Sequence, residues 1–419
     1  MTLWNETKTK SIPISHSMIW EAYKKVRANK GSAGVDDVSM KEYDANRRKH
    51  LYKLWNRMAS GSYFPPPVKE VEIPKKDGKV RKLGIPTISD RVAQQAIKMY
   101  IEPRFEEIFS SNSYGYRPNK SAHQALTKVR ENCRKTDWVI DLDIKGFFDN
   151  ISHSKLMLAV EKHVPEKWVQ LYIKRWLAAL VLTKSGELIT NQGKGTPQGG
   201  VISPLLANLY LHYGFDKWLE QHDKTVNFTR YADDVIVHCK SKQHAEQILK
   251  LINNRMNDID LELHPTKTKI VYCKDYRRRE NHPDVKFDFL GYSFQPRTTK
   301  SRRNKKLFLG FDCAISISSS KRIADKLGEL QVERMTFKSV VGIAQKLNPM
   351  IRGWINYYGK FRKSSLHRVF RLLNKRLTRW ARKRYKRYKT SIKRAYKWLA
   401  RVQEQYPTLF YHWQFGFVY

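Results

Sequence analysis

Phe228-Thr-Arg-Tyr-Ala-Asp-Asp-Val-Ile-Val237 sets two adjacent acids between two apolar, strand-forming stretches. Aromatic and β-branched residues suit a pleated strand. Two neighbouring carboxylates repel each other unless a cation bridges them or solvent screens them. The pattern therefore predicts a β-hairpin over 226–239 that turns at Asp233-Asp234. Upstream, Trp138-Val-Ile-Asp-Leu-Asp-Ile144 places its apolar residues on one face of a strand and Asp141 and Asp143 on the other, because side chains alternate with period two.

Laid side by side, the two strands would gather Asp143, Asp233 and Asp234 into a cluster of hard oxygen donors, which suits Mg²⁺ better than softer metals. Two such ions about 3.5–4 Å apart can activate a hydroxyl and stabilise a leaving pyrophosphate. Either segment alone reads equally well as a surface acid or a polar turn. Together, in so basic a chain, they point to a metal-dependent site.

Further strands and helices alternate around this pair: helices near 153–163, 203–219 and 243–258, and strands near 268–273 and 286–294. That order predicts an antiparallel sheet backed by helices. Toward the N-terminus, helical periodicity over 16–60 is broken by Asn29-Lys-Gly-Ser-Ala-Gly-Val-Asp-Asp37, a loop-forming stretch. Val71 to Leu83 alternates around Asp77-Gly78 as a cationic hairpin does. From Thr298 to Lys306 the chain reads as a basic linker. Beyond it, no acid occurs between Glu333 and Glu404, while Leu366, Phe370, Leu373, Leu377 and Trp380, then Ile392, Ala395, Leu399 and Val402, keep helical spacing. This predicts amphipathic helices with a cationic outer face.

Composition fits that picture. Eighty Lys and Arg against 39 Asp and Glu leave a net charge of +41 on 419 residues, so a large polyanion, foremost nucleic acid, is the expected partner. The four cysteines lack the paired spacing of zinc sites or disulfide frameworks and read as reduced thiols. No charged-then-apolar leader opens the chain, and the longest apolar run, Trp176 to Leu182, is too short to span a bilayer. A cytosolic protein with a nucleic-acid partner is expected.

Tyr231-Ala-Asp-Asp234 resembles the signature turn of reverse transcriptases, and Asp143-Ile-Lys-Gly-Phe-Phe-Asp149 resembles their first catalytic strand. Gly195-Thr-Pro-Gln-Gly-Gly-Val-Ile-Ser-Pro-Leu-Leu-Ala-Asn-Leu209 is similar to the glycine motif that meets template and incoming nucleotide. Within that family the chain most resembles the reverse transcriptase/maturase encoded by group II introns. Asn29 to Asp36 looks like its N-terminal loop element. Ser113 to Pro118, Leu263 to Lys269 and Phe289 to Phe294 look like further polymerase blocks, and Arg352-Gly-Trp-Ile-Asn-Tyr-Tyr358 like its thumb signature. The tail ending Leu409 to Trp413 is similar to the DNA-binding region of the short members, which lack the HNH endonuclease domain.

The resemblance implies an α+β right-hand polymerase with a ferredoxin-like antiparallel palm. Fingers and palm would occupy 1–299, a helical thumb or maturase domain 300–370, and a basic DNA-binding domain 371–419. It implies two Mg²⁺ ions held by Asp143, Asp233 and Asp234 with the carbonyl of Ile144. Lys75 and Arg81 would grip the triphosphate, Phe148 would press on the sugar and exclude a ribose 2′-hydroxyl, and Gln198 and Lys267 would help bind the nucleotide. Asn29, Lys30, Gly31, Arg117, Gly199, Gly200, Arg352, Tyr357, Tyr358, Arg382, Lys383 and Arg384 would meet nucleic acid. Intron RNA template, DNA primer or target DNA, and deoxynucleoside triphosphates are the implied partners, and retrohoming and splicing the implied roles. Two alternatives stay open: a reverse transcriptase domesticated for defence or acting as a retron, and a splicing cofactor without catalysis.

Overall fold

The computed structural model describes residues 12–74, 80–300 and 306–417. The chain divides into two compact units, Met1–Ala125 with Ile140–Lys269, and Leu126–Val139 with Ile270–Tyr419.

In the first unit, helices His16–Ala28, Met40–Ala45 and Arg47–Ala59 flank the loop at 29–39. Strands Val68–Pro74 and Val80–Ile85 pair antiparallel and form the expected hairpin; its tip, with Lys75 and the Asp77-Gly78 turn, lies outside the described residues. The first of these strands also pairs, in parallel, with the short strand Val181–Leu182, a contact that no local pattern signals. The helix Ile88–Ile108 is capped by Thr87, whose hydroxyl accepts from the Asp90 N–H at 3.2 Å.

The central sheet has the order Asn227–Tyr231, Asp234–Cys239, Trp138–Leu142, Lys269–Tyr272. Helices His153–His163 and Lys242–Asp258 fall where periodicity places them. The helix expected over 203–219 is instead interrupted: Ser203–Leu211 runs into a π-helical turn, His212–Asp216, and resumes at Lys217–His222. One extra residue in a turn leaves the apolar spacing nearly unchanged, so the sequence does not reveal it.

In the second unit, strands Phe287–Phe289, Tyr292–Lys300 and Leu307–Ile315 form an antiparallel sheet; residues 301–305 of the expected basic linker lie outside the described residues. Helices Ile317–Glu329, Val340–Arg362, His367–Arg384 and Ile392–Gln405 follow. One apolar core runs from Leu327 and Leu347 through Phe370, Leu377 and Trp380 to Leu399 and Phe410. The expected boundaries at 299/300 and 370/371 therefore do not mark compact units. The second would cut the helix His367–Arg384, whose buried face belongs to that single core. Asn374, fully buried, ties the last residues down: its amide oxygen accepts from His412 Nε2 at 2.8 Å and Trp413 Nε1 at 3.2 Å, and its Nδ2 donates to the Phe417 carbonyl at 3.1 Å.

All four cysteines are free and buried. No described helix is long and apolar enough to cross a membrane.

Candidate active site

The strand order sets Asp234–Cys239 beside Trp138–Leu142, so Asp143, one residue past its strand, comes next to the hairpin turn. Tyr231 pairs with Asp234 across the hairpin, which leaves Ala232 and Asp233 as the turn itself. Ala232 takes φ +58°, a left-handed conformation that costs an L-residue about 1–2 kcal/mol.

Asp233 and Asp234 both have carboxyl groups raised above the ordinary range. Surrounding protein is the first cause for each. For Asp234, the charges of Asp233 and Asp143 add to it and push the group up to about 7, against the opposing pull of Arg81. Asp234 still presents surface to solvent, so the acids sit in an open, crowded cleft and not in the core. Arg81, on the finger hairpin, is thereby within electrostatic range of both. Lys267 lies with its Nζ 3.3 Å from the Asp143 carboxylate. Among the described residues, no three His, Cys, Asp or Glu side chains are gathered tightly enough to hold a metal as they stand. Ile144 bridges to Leu263 through neighbouring groups: Asp143 O accepts from His264 N at 2.7 Å, and Lys145 N donates to Glu262 O at 2.8 Å. The Ile144 carbonyl is not used in that bridge.

The wall of the cleft is knitted by backbone. Thr196 N donates to Phe148 O at 2.8 Å and Gln198 Nε2 to Asp149 Oδ1 at 3.3 Å, so the glycine motif lies against the segment carrying Phe148. Gly84 N donates to Gln198 O at 3.0 Å. Gly199, at φ +136°, approaches so closely that a Cβ there would stand 2.5 Å from Gly84 O. Gly200 is buried, and a Cβ on it would meet Ser203 Oγ at 2.5 Å, so its smallness serves packing and not an approach to template. Behind the loop, the Gln94 amide oxygen accepts from Val201 N at 2.7 Å and Ile202 N at 3.3 Å, while its Nε2 donates to buried Asp90 at 2.9 Å.

Several expected contacts with nucleic acid are otherwise engaged. Arg117 is turned inward: its guanidinium donates to Glu106 and to the carbonyls of Ser110 and Ser113, and only 6 % of the side chain is exposed. The Tyr357 hydroxyl donates to Leu290 O at 2.9 Å, and Tyr358 packs against Gly291. Gly31 is an approach point for Arg91, whose Nη2 donates to Ser32 O, whereas Asn29 and Lys30 are exposed. Arg352 is exposed and lies over the Tyr411 ring. Arg382 and Lys383, with Arg379, Lys386, Lys389 and Glu333, line an open cavity of about 800 Å³; Arg384 is exposed outside it. The motif reading passed over Tyr116. This residue is exposed at φ +56° and feels the charges of Asp233 and Arg81. A left-handed tyrosine between two anchored neighbours is not legible from residue types.

Residues 73–294 match the family model described as reverse transcriptase (RNA-dependent DNA polymerase), just over half of the chain. The chain belongs to the reverse transcriptase family. Residues 320–398 of this reverse transcriptase match the group II intron, maturase-specific domain. Protein YkfC of Escherichia coli (strain K12) is 33 % identical, over 61 % of this chain and 77 % of that protein. The group II intron-encoded protein LtrA of Lactococcus lactis subsp. cremoris is also 33 % identical, over 62 % of this chain but 41 % of that protein. The putative COX1/OXI3 intron 1 protein of Saccharomyces cerevisiae is 24 % identical, over 71 % of this chain and 41 % of that one. This reverse transcriptase thus spans less than half the length of the last two. Among solved structures, telomerase from Candida albicans aligns with a TM-score of 0.45 at 11 % identity, over 81 % of this chain and 62 % of that one; the family assignment rests on the sequence match alone.

Proposed function

We propose that this reverse transcriptase is encoded by a group II intron, copies that intron's RNA into DNA from a DNA primer 3′-end during retrohoming, and assists the intron's splicing. The observation that carries the reading is the pairing of a polymerase palm, with Asp143, Asp233 and Asp234 in one cleft, to a maturase-specific domain in the same chain.

The cleft suits magnesium. Its donors are hard oxygens, and its carboxylates raise one another's protonation in a way that a divalent cation would reverse. Asp143 and Asp233 would be the principal ligands, with the Ile144 carbonyl and Asp234 beside them. Two bound Mg²⁺ ions would activate the primer hydroxyl and neutralise the charge developing on the pyrophosphate. Arg81 draws the triphosphate to the acids, since its guanidinium binds phosphate oxygens in a fork. Lys267 holds Asp143 in place. Phe148, half-buried with its ring edge against Phe147, lies against the sugar, and Gln198 against the base or template.

Phe148→Val is expected to admit ribonucleotides, lowering the ratio of kcat/KM for deoxynucleotide over ribonucleotide on the order of tenfold or more, the scale of a lost steric exclusion. Single-nucleotide addition with each substrate measures it, and an unchanged ratio returns Phe148 to the core.

The cationic cavity at the end of His367–Arg384 carries affinity instead of chemistry. Changing Arg379, Arg382, Lys383, Lys386 and Lys389 to Gln should weaken RNA binding and flatten the slope of log K against log salt by about 0.7 to 0.9 per lost phosphate contact, yet spare addition at saturating template. A slope that stays the same would mean this surface faces away from the nucleic acid.

The whole reading is tested by giving the purified protein its surrounding RNA. Stimulated splicing of that RNA, together with primer extension along it, supports the intron role. Extension without splicing favours a domesticated enzyme.

A further inference from the structure

Directly beneath the catalytic turn lies an arginine to which the metal-site motif assigns nothing. Arg230 is completely buried, and its one guanidinium joins three segments. Nε and Nη2 donate to the two carboxylate oxygens of Asp216 at 2.7 and 2.5 Å. Nη1 donates to Asn208 Oδ1 at 2.9 Å and to the carbonyl oxygen of Ala232 at 3.0 Å. Asn208 in turn donates through Nδ2 to the Gly115 carbonyl at 2.8 Å. The backbone of the same residue is held as well: Arg230 N donates to Asn112 O at 2.9 Å, and Tyr114 N to Arg230 O at 2.8 Å. Gly115 comes so near that a Cβ on it would stand 2.4 Å from Ala232 N.

Stability does not explain this arrangement. A buried ion pair is as stable, or less so, than a well-packed apolar pair of similar size, because both charges have lost their water. What an apolar pair lacks is a donor aimed at the Ala232 carbonyl. That carbonyl belongs to the peptide bond leading into Asp233, so holding it fixes the plane from which Asp233 projects. The residue that carries it is the one in the left-handed conformation, where a conformation that is rare for alanine persists only if its surroundings impose it. The π-helical turn His212–Asp216 delivers Asp216 to this spot at its last residue, and such insertions recur at functional sites.

We propose that Arg230, neutralised by Asp216 and braced by Asn208, is the positioning residue of the catalytic turn, clamping the Ala232–Asp233 peptide so that Asp233 is presented to the metal-binding cleft in one orientation. Arg230 does not touch substrate. It acts through Asp233, and the proposal therefore rests on Asp233 being a catalytic acid.

The test uses the full chain with two variants, Arg230→Met combined with Asp216→Leu, and Arg230→Lys. For each, the melting temperature, the affinity for primer–template and the kcat and KM of single-nucleotide addition are measured. The double variant removes both charges together and should keep the fold and the affinity, while kcat falls on the order of 10²-fold, the scale of a misplacement of about 1 Å. KM for the deoxynucleotide should stay close to the parent value. Lysine keeps the pairing with Asp216 but, as a point charge, cannot span Asp216 and the Ala232 carbonyl as the planar fork does; its melting temperature should drop for the buried acceptors left unpaired, and its kcat per folded protein, measured well below that temperature, should fall too.

A double variant with the parent kcat overturns the proposal. So does a loss of kcat that only tracks the loss of folded protein. Should the double variant fail to fold, Arg230→Lys decides, with kcat referred to folded protein and measured well below its melting temperature: the parent kcat refutes the clamp, and a reduced kcat supports it. Asp233→Ala run in parallel separates the two readings. If it stays active the assignment of the acids fails, and if it is dead while the Arg230 variants are fully active only the clamp fails.

Discussion

Asp233→Ala is expected to abolish DNA synthesis on an RNA template, with kcat reduced on the order of 10³-fold or more and RNA affinity nearly unchanged. The two properties separate because they draw on different groups. Carboxylates that hold metal ions stabilise charge that develops only in the transition state, whereas affinity for a polyanion is spread over many of the 80 Lys and Arg residues. The fold should not suffer either. Asp233 is crowded by protein and by the charge of Asp143, so its removal relieves repulsion, and the melting temperature should hold or rise. Asp143→Asn should behave alike. Primer extension, filter binding and a thermal melt on the same preparations check all three statements, and substantial extension by Asp233→Ala would refute the assignment.

Trp380→Ala should have the largest effect on stability. The indole is wholly buried, donates through Nε1 to the Met335 carbonyl at 3.0 Å, and packs near Tyr385 and Trp398. Removing so large a side chain leaves a cavity and an unsatisfied carbonyl, with a cost of about 3–5 kcal/mol. For a unit of this size that corresponds to a fall in midpoint of about 10 °C. Differential scanning calorimetry of the intact chain reads it directly. Because the core is continuous from Leu327 to Phe410, nucleic-acid affinity should fall with the midpoint. A shift of only a degree or two would mean that the site collapses around the vacancy.

What the sequence made legible follows from what is local. Period-two alternation located the strand that leads into Asp143, and apolar stretches around adjacent acids located the hairpin, which turns at Ala232-Asp233, one residue before the expected Asp233-Asp234; 3.6-residue spacing located His153–His163 and Lys242–Asp258 almost to the residue. Groups that act through distant partners were not legible. Arg117 reads as a cation for phosphate because nothing nearby announces Glu106 as its partner across a turn. Tyr357 and Tyr358 read as exposed binding aromatics because the strand turn they cover lies 67 residues earlier. Arg230 left a faint signal: in the strand Asn227–Tyr231 it shares a face with the apolar Phe228, and an arginine in that register must be buried and paired. Its partners, Asp216 and Asn208, could not have been named, since the π-helical turn that delivers Asp216 leaves no mark on the apolar spacing.

The contact between Gly84 and the Gln198-Gly199 stretch has a practical side. Because the hydrogen bond from Gly84 N to Gln198 O is made by main-chain atoms, side chains at Val80 and Lys82 take no part in it. The hairpin and the glycine loop are thus tied through their main chains, whatever the outward side chains of the hairpin are. A combinatorial library that randomises Val80 and Lys82, on the strand face opposite Arg81, while leaving Gly84 and Gly199 untouched should therefore not loosen the frame. Libraries that touch either glycine should return mostly dead clones.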